Sequence, residues 1–166
     1  MAENQLRYLP ATLDDAPKIS EILNENISVG MVTLWERTFS VDEIEAILQA
    51  FNHREKAYML SYGNEILGWG WIRKYHEKEG YAYTCETSVF LRREYVNRGF
   101  GSPFKKFILE ECKRLGYHHV HAKIIATNEI SIAYNLKLGY TIVGTQNEVG
   151  FKDGRWVDVV IMQKLL

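Results

Sequence analysis

Between Tyr95 and Phe107 the chain reads YVNRGFGSPFKKF, with Arg98, Gly99 and Gly101 placed just before an amphipathic run. Glycine lets a backbone approach a ligand with no Cβ in the way. Amides at a helix mouth, reinforced by the positive end of the helix dipole, are ready donors to an anion. Arg98 adds a charge for a phosphate oxygen. Ser102 is a suitable N-cap and Pro103 suits the first helical position. The amides from Asn97 to Ser102, Phe100 included, are therefore expected to face one concavity. A Walker loop requires Gly-x4-Gly-Lys-Ser/Thr, which is absent, and a dinucleotide fingerprint requires Gly or Ala where Phe104 stands. Two readings stay open on these residues alone: a strand-to-helix connector, or a pyrophosphate cradle.

The second candidate is Glu86, within TCETSVFL. A carboxylate in an apolar β run is expected to have its pKa raised by partial burial, towards the range useful to a general base. Other candidates are weaker. His118, His119 and His121 cluster, but no Cys or acidic residue stands at metal-ligand spacing, so they read as strand residues and no metal is expected. Cys85 carries no nucleophile signature, and Cys112 reads as helix packing. Trp69 and Trp71 alternate with Gly68 and Gly70, which places both indoles on one sheet face as packing or a subunit contact.

These residues need elements to hold them. QLRYLP alternates as a first strand. LDDAPKISEILNEN brings Leu13, Ile19, Ile22 and Leu23 to one helical face after Thr12, and Ser40 to Glu43 is a capping box opening a second helix. AYMLSYGNEILGWGWIRKY predicts a hairpin turning at Gly63-Asn64. Tyr81 to Leu91 predicts a third strand of this region, and Pro103 to Leu115 a helix stopped by Gly116. HHVHAKII reads as a strand, and NEISIAYNLKLGY as a helix capped by Asn128 and ended at Gly139. TIVGTQNEV and RWVDVVIMQKL read as strands about a Lys152-Asp153-Gly154 turn. The predicted order is β α α β β β α β α β β, a mixed α/β sheet with at least one crossover.

Composition sets outer limits. The 166 residues suit a single domain spanning 1–166. Twenty basic and 21 acidic side chains give a formal net charge of −1. No basic excess is present to drive nucleic-acid or anionic-membrane binding, so neither partner is expected. The N-terminal stretch has no basic region followed by an apolar run, and no apolar run approaches a membrane span, so neither a signal peptide nor a span is expected. Two cysteines make no disulfide framework, and a cytoplasmic setting is expected.

Three features together resemble a known family. Tyr81, Thr84, Glu86, Ser88 and Val89 spell Y-x-x-T-x-E-x-S-V; the R-x-G-x-G style loop follows; and Gly150 to Val159 reads GFKDGRWVDV. With NEISIAYNLKLGY, this is similar to the acetyl-CoA-dependent N-acetyltransferases of the GNAT superfamily, and more narrowly to their phosphinothricin and methionine-sulfoximine acetyltransferase branch. The likeness is firmest from about Gly68 onward.

The resemblance implies a twisted mixed sheet flanked by helices, acetyl-CoA as co-substrate with no metal, a small amino-acid-like amine as substrate, and a homodimer. Val89, Phe90 and Leu91 would offer backbone bonds to the pantetheine arm and acetyl carbonyl. Asn97, Arg98, Gly99, Phe100, Gly101 and Ser102 would wrap the pyrophosphate, and Asn128 would contact the cofactor. Glu86 would be the general base. Lys78, Tyr81, Thr84 and Lys152 would hold the substrate. Two positions depart from the pattern. Val96 stands where Gln or Arg usually opens the loop. Asn135 stands where many members carry a tyrosine acid, while Tyr134, the candidate acid here, is rotated about 100° from it around a helix. Rival readings are acetylation of a peptide N-terminus or polyamine, and a silent acyl-CoA-binding module.

Chemistry supports the roles independently. Attack on a thioester needs an uncharged amine, yet an alkyl amine with a pKa of about 10 is mostly protonated at neutral pH. A carboxylate within reach, directly or through water, removes that proton, and a fixed amide steadies the oxyanion.

Overall fold

A computed structural model describes residues 5–166. The first four residues, part of the stretch read for a signal peptide and of the span read as one domain, lie outside the described residues.

Among the described residues seven strands and four helices follow the predicted order. β1 (Leu6–Pro10) leads through a short 3-10 turn into α1 (Ala16–Ser28), then α2 (Val41–Gln49). β2 (Lys56–Tyr62), β3 (Glu65–Lys74) and β4 (Thr84–Leu91) form a meander, α3 (Gly101–Arg114) crosses over to β5 (His119–Ile125), and α4 (Glu129–Lys137) precedes β6 (Thr141–Lys152) and β7 (Arg155–Leu165). The sheet order is β1-β2-β3-β4-β5-β7-β6, with β4 and β5 parallel and the other neighbours antiparallel.

Local signals explain most boundaries. Ser40 Oγ accepts from the Glu43 amide at 3.2 Å, and Glu43 returns the bond to the Ser40 amide at 2.9 Å. The β2–β3 turn falls at Gly63-Asn64, with Gly63 at φ 60°. Gly116 and Gly139, at φ 80° and 83°, close α3 and α4. Two expectations need correction. β4 begins at Thr84, because residues Glu79–Tyr81 form a 3-10 turn. α3 begins at Gly101 behind Phe100 rather than at Pro103 behind Ser102. Proline fits there because first-turn amides have no intrahelical acceptor in any case.

The sheet divides the core in two. On one face α3 packs Phe104, Ile108 and Cys112 over Cys85, Val120 and Met162. On the other, α1 and α2 pack Ile19, Ile22, Leu23 and Ile44 over Met59, Trp69 and Phe90. Trp69 is fully buried and meets Trp71 edge-on at 4.9 Å, so the two indoles are core packing. Among the described residues no helix is long and apolar enough to cross a membrane.

Candidate active site

The parallel β4–β5 pairing is short. It runs Thr84↔His119, Cys85↔Val120, Glu86↔His121 and then stops, although β4 continues to Leu91 and β5 to Ile125. β4 stays on β3 as far as Leu91↔Gly68, while β5 stays on β7 as far as Ile125↔Val159. The two strands therefore part after Glu86. β3 enforces its side of this split through Gly68 and Gly70. A Cβ on Gly70 would lie 2.8 Å from the Ser88 carbonyl, and one on Gly68 would strike the Phe90 carbonyl. Only glycine lets β4 lie that close.

The split opens a cavity of about 340 Å³. Its walls come from Thr87 to Phe90 of β4, Ala122 to Ile125 of β5, Ser131, Tyr134 and Asn135 of α4, Lys105 of α3, and the segment Val32 to Trp35. Asn128 lines it too and caps α4, accepting from the Ser131 amide at 3.2 Å.

The glycine loop lies at the α3 end of this split. Asn97 and Gly99 adopt φ of 63° and 87°, and a Cβ on Gly99 would meet nothing within 4 Å. Among the described residues the amides of Asn97 to Ser102 donate to no backbone carbonyl. Arg98 is exposed, with its guanidinium 5.8 Å from the Tyr95 ring centroid. Tyr134 Oη donates to the Gly101 carbonyl at 2.7 Å, tying α4 to the loop. Open amides, left-handed backbone and a nearby cation fit a bound pyrophosphate, and the cleft beyond fits an extended arm.

Glu86 sits at the last paired rung, one residue before the cavity wall begins. Lys123 Nζ donates to Glu86 Oε1 at 2.7 Å, and His121 Nδ1 lies 3.3 Å from the same oxygen, a long contact. Burial pushes the carboxyl pKa up, but the His121 and Lys123 contacts outweigh it and hold the group below the usual 4.5. The expected rise is thus reversed. The reason is that β5 places two nitrogens against a side chain that sequence shows only among apolar neighbours.

The expected substrate residues fare differently. Lys152 is 1% exposed, and its ammonium donates to the carbonyls of Thr33 and Trp35 at 2.5 and 2.7 Å. It clamps the segment from Val32 to Trp35 through those two carbonyls, where sequence had suggested a substrate contact. Tyr81 lies on the exposed 3-10 turn, Lys78 stands just before it and Thr84 starts β4; none of the three lines the cavity. Tyr81 instead packs edge-on against Tyr75 at 5.3 Å, and Tyr75 stands 4.7 Å from the His121 ring.

Several residues escaped the sequence reading. The segment from Val32 to Trp35 has no periodicity to mark it, and its cavity role depends on Lys152, more than a hundred positions away. His121 and Lys123 share a strand face at i, i+2 with the register of Glu86, a signal legible only once β4 and β5 are known to pair in parallel. Lys105 shares α3 with the exposed Lys106 and Lys113, yet is itself buried.

Comparison with known proteins decides the family. The model of the acetyltransferase (GNAT) domain matches residues 10–161. The chain belongs to the GNAT acetyltransferase family. An L-methionine sulfoximine/L-methionine sulfone acetyltransferase of Pseudomonas aeruginosa is 30% identical over 158 residues, covering 92% of this chain and 90% of that protein. A phosphinothricin N-acetyltransferase of Streptomyces coelicolor is 29% identical, covering 99% of this chain and 98% of that one. Among solved structures, a Salmonella typhimurium acetyltransferase with its cofactor acetyl-CoA superposes with a TM-score of 0.92 at 26% identity, covering 98% of this chain and 95% of that one. The GNAT fold expected from sequence is the fold observed, and the chain is an acetyltransferase.

Proposed function

We propose that this GNAT enzyme transfers acetyl from acetyl-CoA to the primary amine of a small amino-acid-like substrate, by direct attack. The observation that carries the reading is the coincidence of three things at one split: the open-amide loop at one end, the cavity between the parted strands, and Glu86 at their vertex. The relatives named for methionine sulfoximine, methionine sulfone and phosphinothricin support the substrate class.

In this reading the loop from Asn97 to Ser102 holds the pyrophosphate, and the unpaired inner edge of Val89, Phe90 and Leu91 receives the pantetheine arm and acetyl carbonyl. Glu86 takes the amine proton, through water because its side chain stands beside the cavity wall. Its lowered pKa keeps it ionised at neutral pH and so able to accept the proton, and makes it a weaker base than a carboxyl raised towards neutrality. Tyr134, whose hydroxyl proton is engaged by the Gly101 carbonyl, positions the loop.

Two wider properties belong to the same proposal. The β6–β7 hairpin exposes Ile142, Val143, Val149, Phe151 and Trp156, a surface that supports a homodimer. Cys85 and Cys112 are buried and free with sulfurs 3.6 Å apart, which supports a reducing, cytoplasmic setting.

The test is a panel of amines assayed by chromatography of the N-acetyl product: methionine sulfoximine, phosphinothricin, free amino acids, a polyamine and a short peptide. Turnover of an amino-acid-like member is expected. Turnover confined to the polyamine or peptide would overturn the substrate class, and no turnover of any member would overturn acetyl transfer to amines.

A further inference from the structure

Lys105 carries a charge where the fold gives it little support. It lies in the second turn of α3, 3% exposed, in the cavity wall with Thr87, Ser131 and Asn135. Its ammonium donates to the Thr87 hydroxyl at 2.5 Å, lies 3.5 Å from the Thr87 carbonyl, and stands 5.7 Å from the Tyr140 ring centroid. Among the described residues no carboxylate pairs with it. Burying an unpaired charge is costly, and an apolar side chain would fill the place at less cost. Beside it the Asn135 Oδ1 and the Tyr140 hydroxyl are buried without a hydrogen-bond partner among the described residues, in residues 5% and 2% exposed. A cation retained among unsatisfied polar atoms, in the wall of a cleft, is explained by a negative group that reaches it in function.

Its position says which group. Thr87 is the first residue beyond the last β4–β5 rung, and Glu86 is the residue before it. Successive side chains of a strand point to opposite faces. Glu86 and Lys105 therefore flank the vertex of the split from its two sides, a carboxylate from one and an ammonium from the other. Resting on the acetyl-transfer reading above, we propose that Lys105 is a catalytic residue that meets the departing thiolate of the acyl donor and protonates it.

The step balances without a further reactant. The amine nitrogen bonds the acetyl carbon, the carbon–sulfur bond breaks with its electron pair on sulfur, Lys105 Nζ gives sulfur a proton, and the lysine regains one from water. Glu86 passes the amine's proton to solvent on the other face. Burial holds Lys105 down to about 8, close to the roughly 8.5 of an ordinary thiol, so the transfer is nearly balanced.

The other titratable groups facing Lys105 are poor donors. Contact with Cys112 and burial push the Cys85 thiol up, and burial pushes the Tyr140 hydroxyl up. Cys112 itself is fully buried on α3, directed at Cys85. Burial also pushes Tyr134 up, and its proton is held by the Gly101 carbonyl. From β5, Ala122 and Ile124 bring no charge.

The experiment compares wild type with Lys105→Met and Lys105→Arg. Lys105→Met should lower kcat at least about tenfold while KM for acetyl-CoA changes less than about threefold, and should abolish the alkaline fall of kcat around pH 8. Lys105→Arg should be as slow, because guanidinium gives up no proton near neutrality. A second readout needs no turnover: ultraviolet titration of the thiol of bound CoA against unliganded protein. That thiol should titrate at least about one pH unit below free CoA in wild type and Lys105→Arg, and as free CoA in Lys105→Met. A Met variant with wild-type kcat and pH profile would overturn the proposal, as would a wild-type bound thiol that titrates like free CoA. If a variant fails to fold, the wild-type thiol titration still decides. Failure of the whole amine panel would instead remove the underlying acetyl-transfer reading, whereas an active wild type with an unaffected Met variant removes Lys105 alone.

Discussion

Lys123 Nζ lies 2.7 Å from Glu86 Oε1, across the gap that opens just past the last parallel rung of β4 and β5. The lysine half of this pair is 53% exposed and the glutamate half 33%, so the pair sits at the rim of the cleft, partly screened by water. Together with the His121 contact it holds the carboxyl pKa of the proposed base down. Removing the cation by Lys123→Met should raise the Glu86 carboxyl pKa, measured by carbon NMR titration of labelled glutamate. An unmoved titration would show that His121 alone sets it.

The same pair fixes a sign for pH dependence. A carboxyl held below 4.5 in the folded state stabilises the fold above its unfolded pKa, and that contribution is lost as pH falls through the lower folded value. Glu86 is therefore ionised throughout the neutral range. The acid side of the kcat/KM profile should follow the ammonium pKa of the amine and change when the amine is changed. An acid limb near pH 6 to 7 that ignores the amine would assign a raised carboxyl instead.

Glu55 offers a stability test remote from the cleft. It is 3% exposed, and its Oε1 accepts from Arg73 Nε at 2.8 Å and from the Lys74 amide at 3.2 Å. Burial pushes its pKa up, but Arg73 and the amides of Asn52 and Lys74 prevail and hold it down. Arg73→Leu should cost about 1–3 kcal/mol in urea unfolding, because the buried carboxylate loses its charged donor and keeps only the Asn52 and Lys74 amides. Its contribution should be present at neutral pH and fade below about pH 4.

Lys152 clamps the cavity segment through the Thr33 and Trp35 carbonyls. Lys152→Met should raise KM for the amine and destabilise the fold by about 1–3 kcal/mol, as two carbonyls lose a charged donor. Calorimetric CoA affinity should stay within about threefold, since the loop from Asn97 to Ser102 is untouched. A loss of CoA affinity with unchanged amine KM would contradict this division of the cleft.

Gly101 separates fold from cofactor. A Cβ there would meet Leu91 Cδ1 at 3.7 Å and Tyr134 at 3.8 Å, ordinary contacts, at the start of a helix. Gly101→Ala should fold at least as stably as wild type, and yet bind CoA at least about fivefold more weakly if the loop approaches a pyrophosphate through bare backbone. Equal affinity by calorimetry would remove the cradle.

The sequence carried the elements more fully than the site. Capping at Ser40 and Asn128, the Gly63-Asn64 turn and the glycine stops are local signals, and each falls where the structure has it. The glycine loop's left-handed backbone and open amides were legible because they are written in neighbouring residues. Glu86, Lys105 and Lys152 are different: each is defined by partners on other elements. Apolar neighbours suggested a raised carboxyl at Glu86, but His121 and Lys123 arrive only through parallel register. Lys152 looked like a substrate cation because its clamp on the loop after α1 is nonlocal. Lys105, on a helix with Lys106 and Lys113 outward, is distinguished only by the direction in which α3 packs.

In the proposed reaction Glu86 removes the amine proton at the vertex of the split. The most direct measurement is Glu86→Gln, which keeps shape and removes the charge, assayed for N-acetyl product at neutral pH alongside calorimetry of acetyl-CoA binding. Turnover is predicted to fall at least about tenfold while acetyl-CoA affinity stays within about twofold. Turnover equal to wild type would contradict the account.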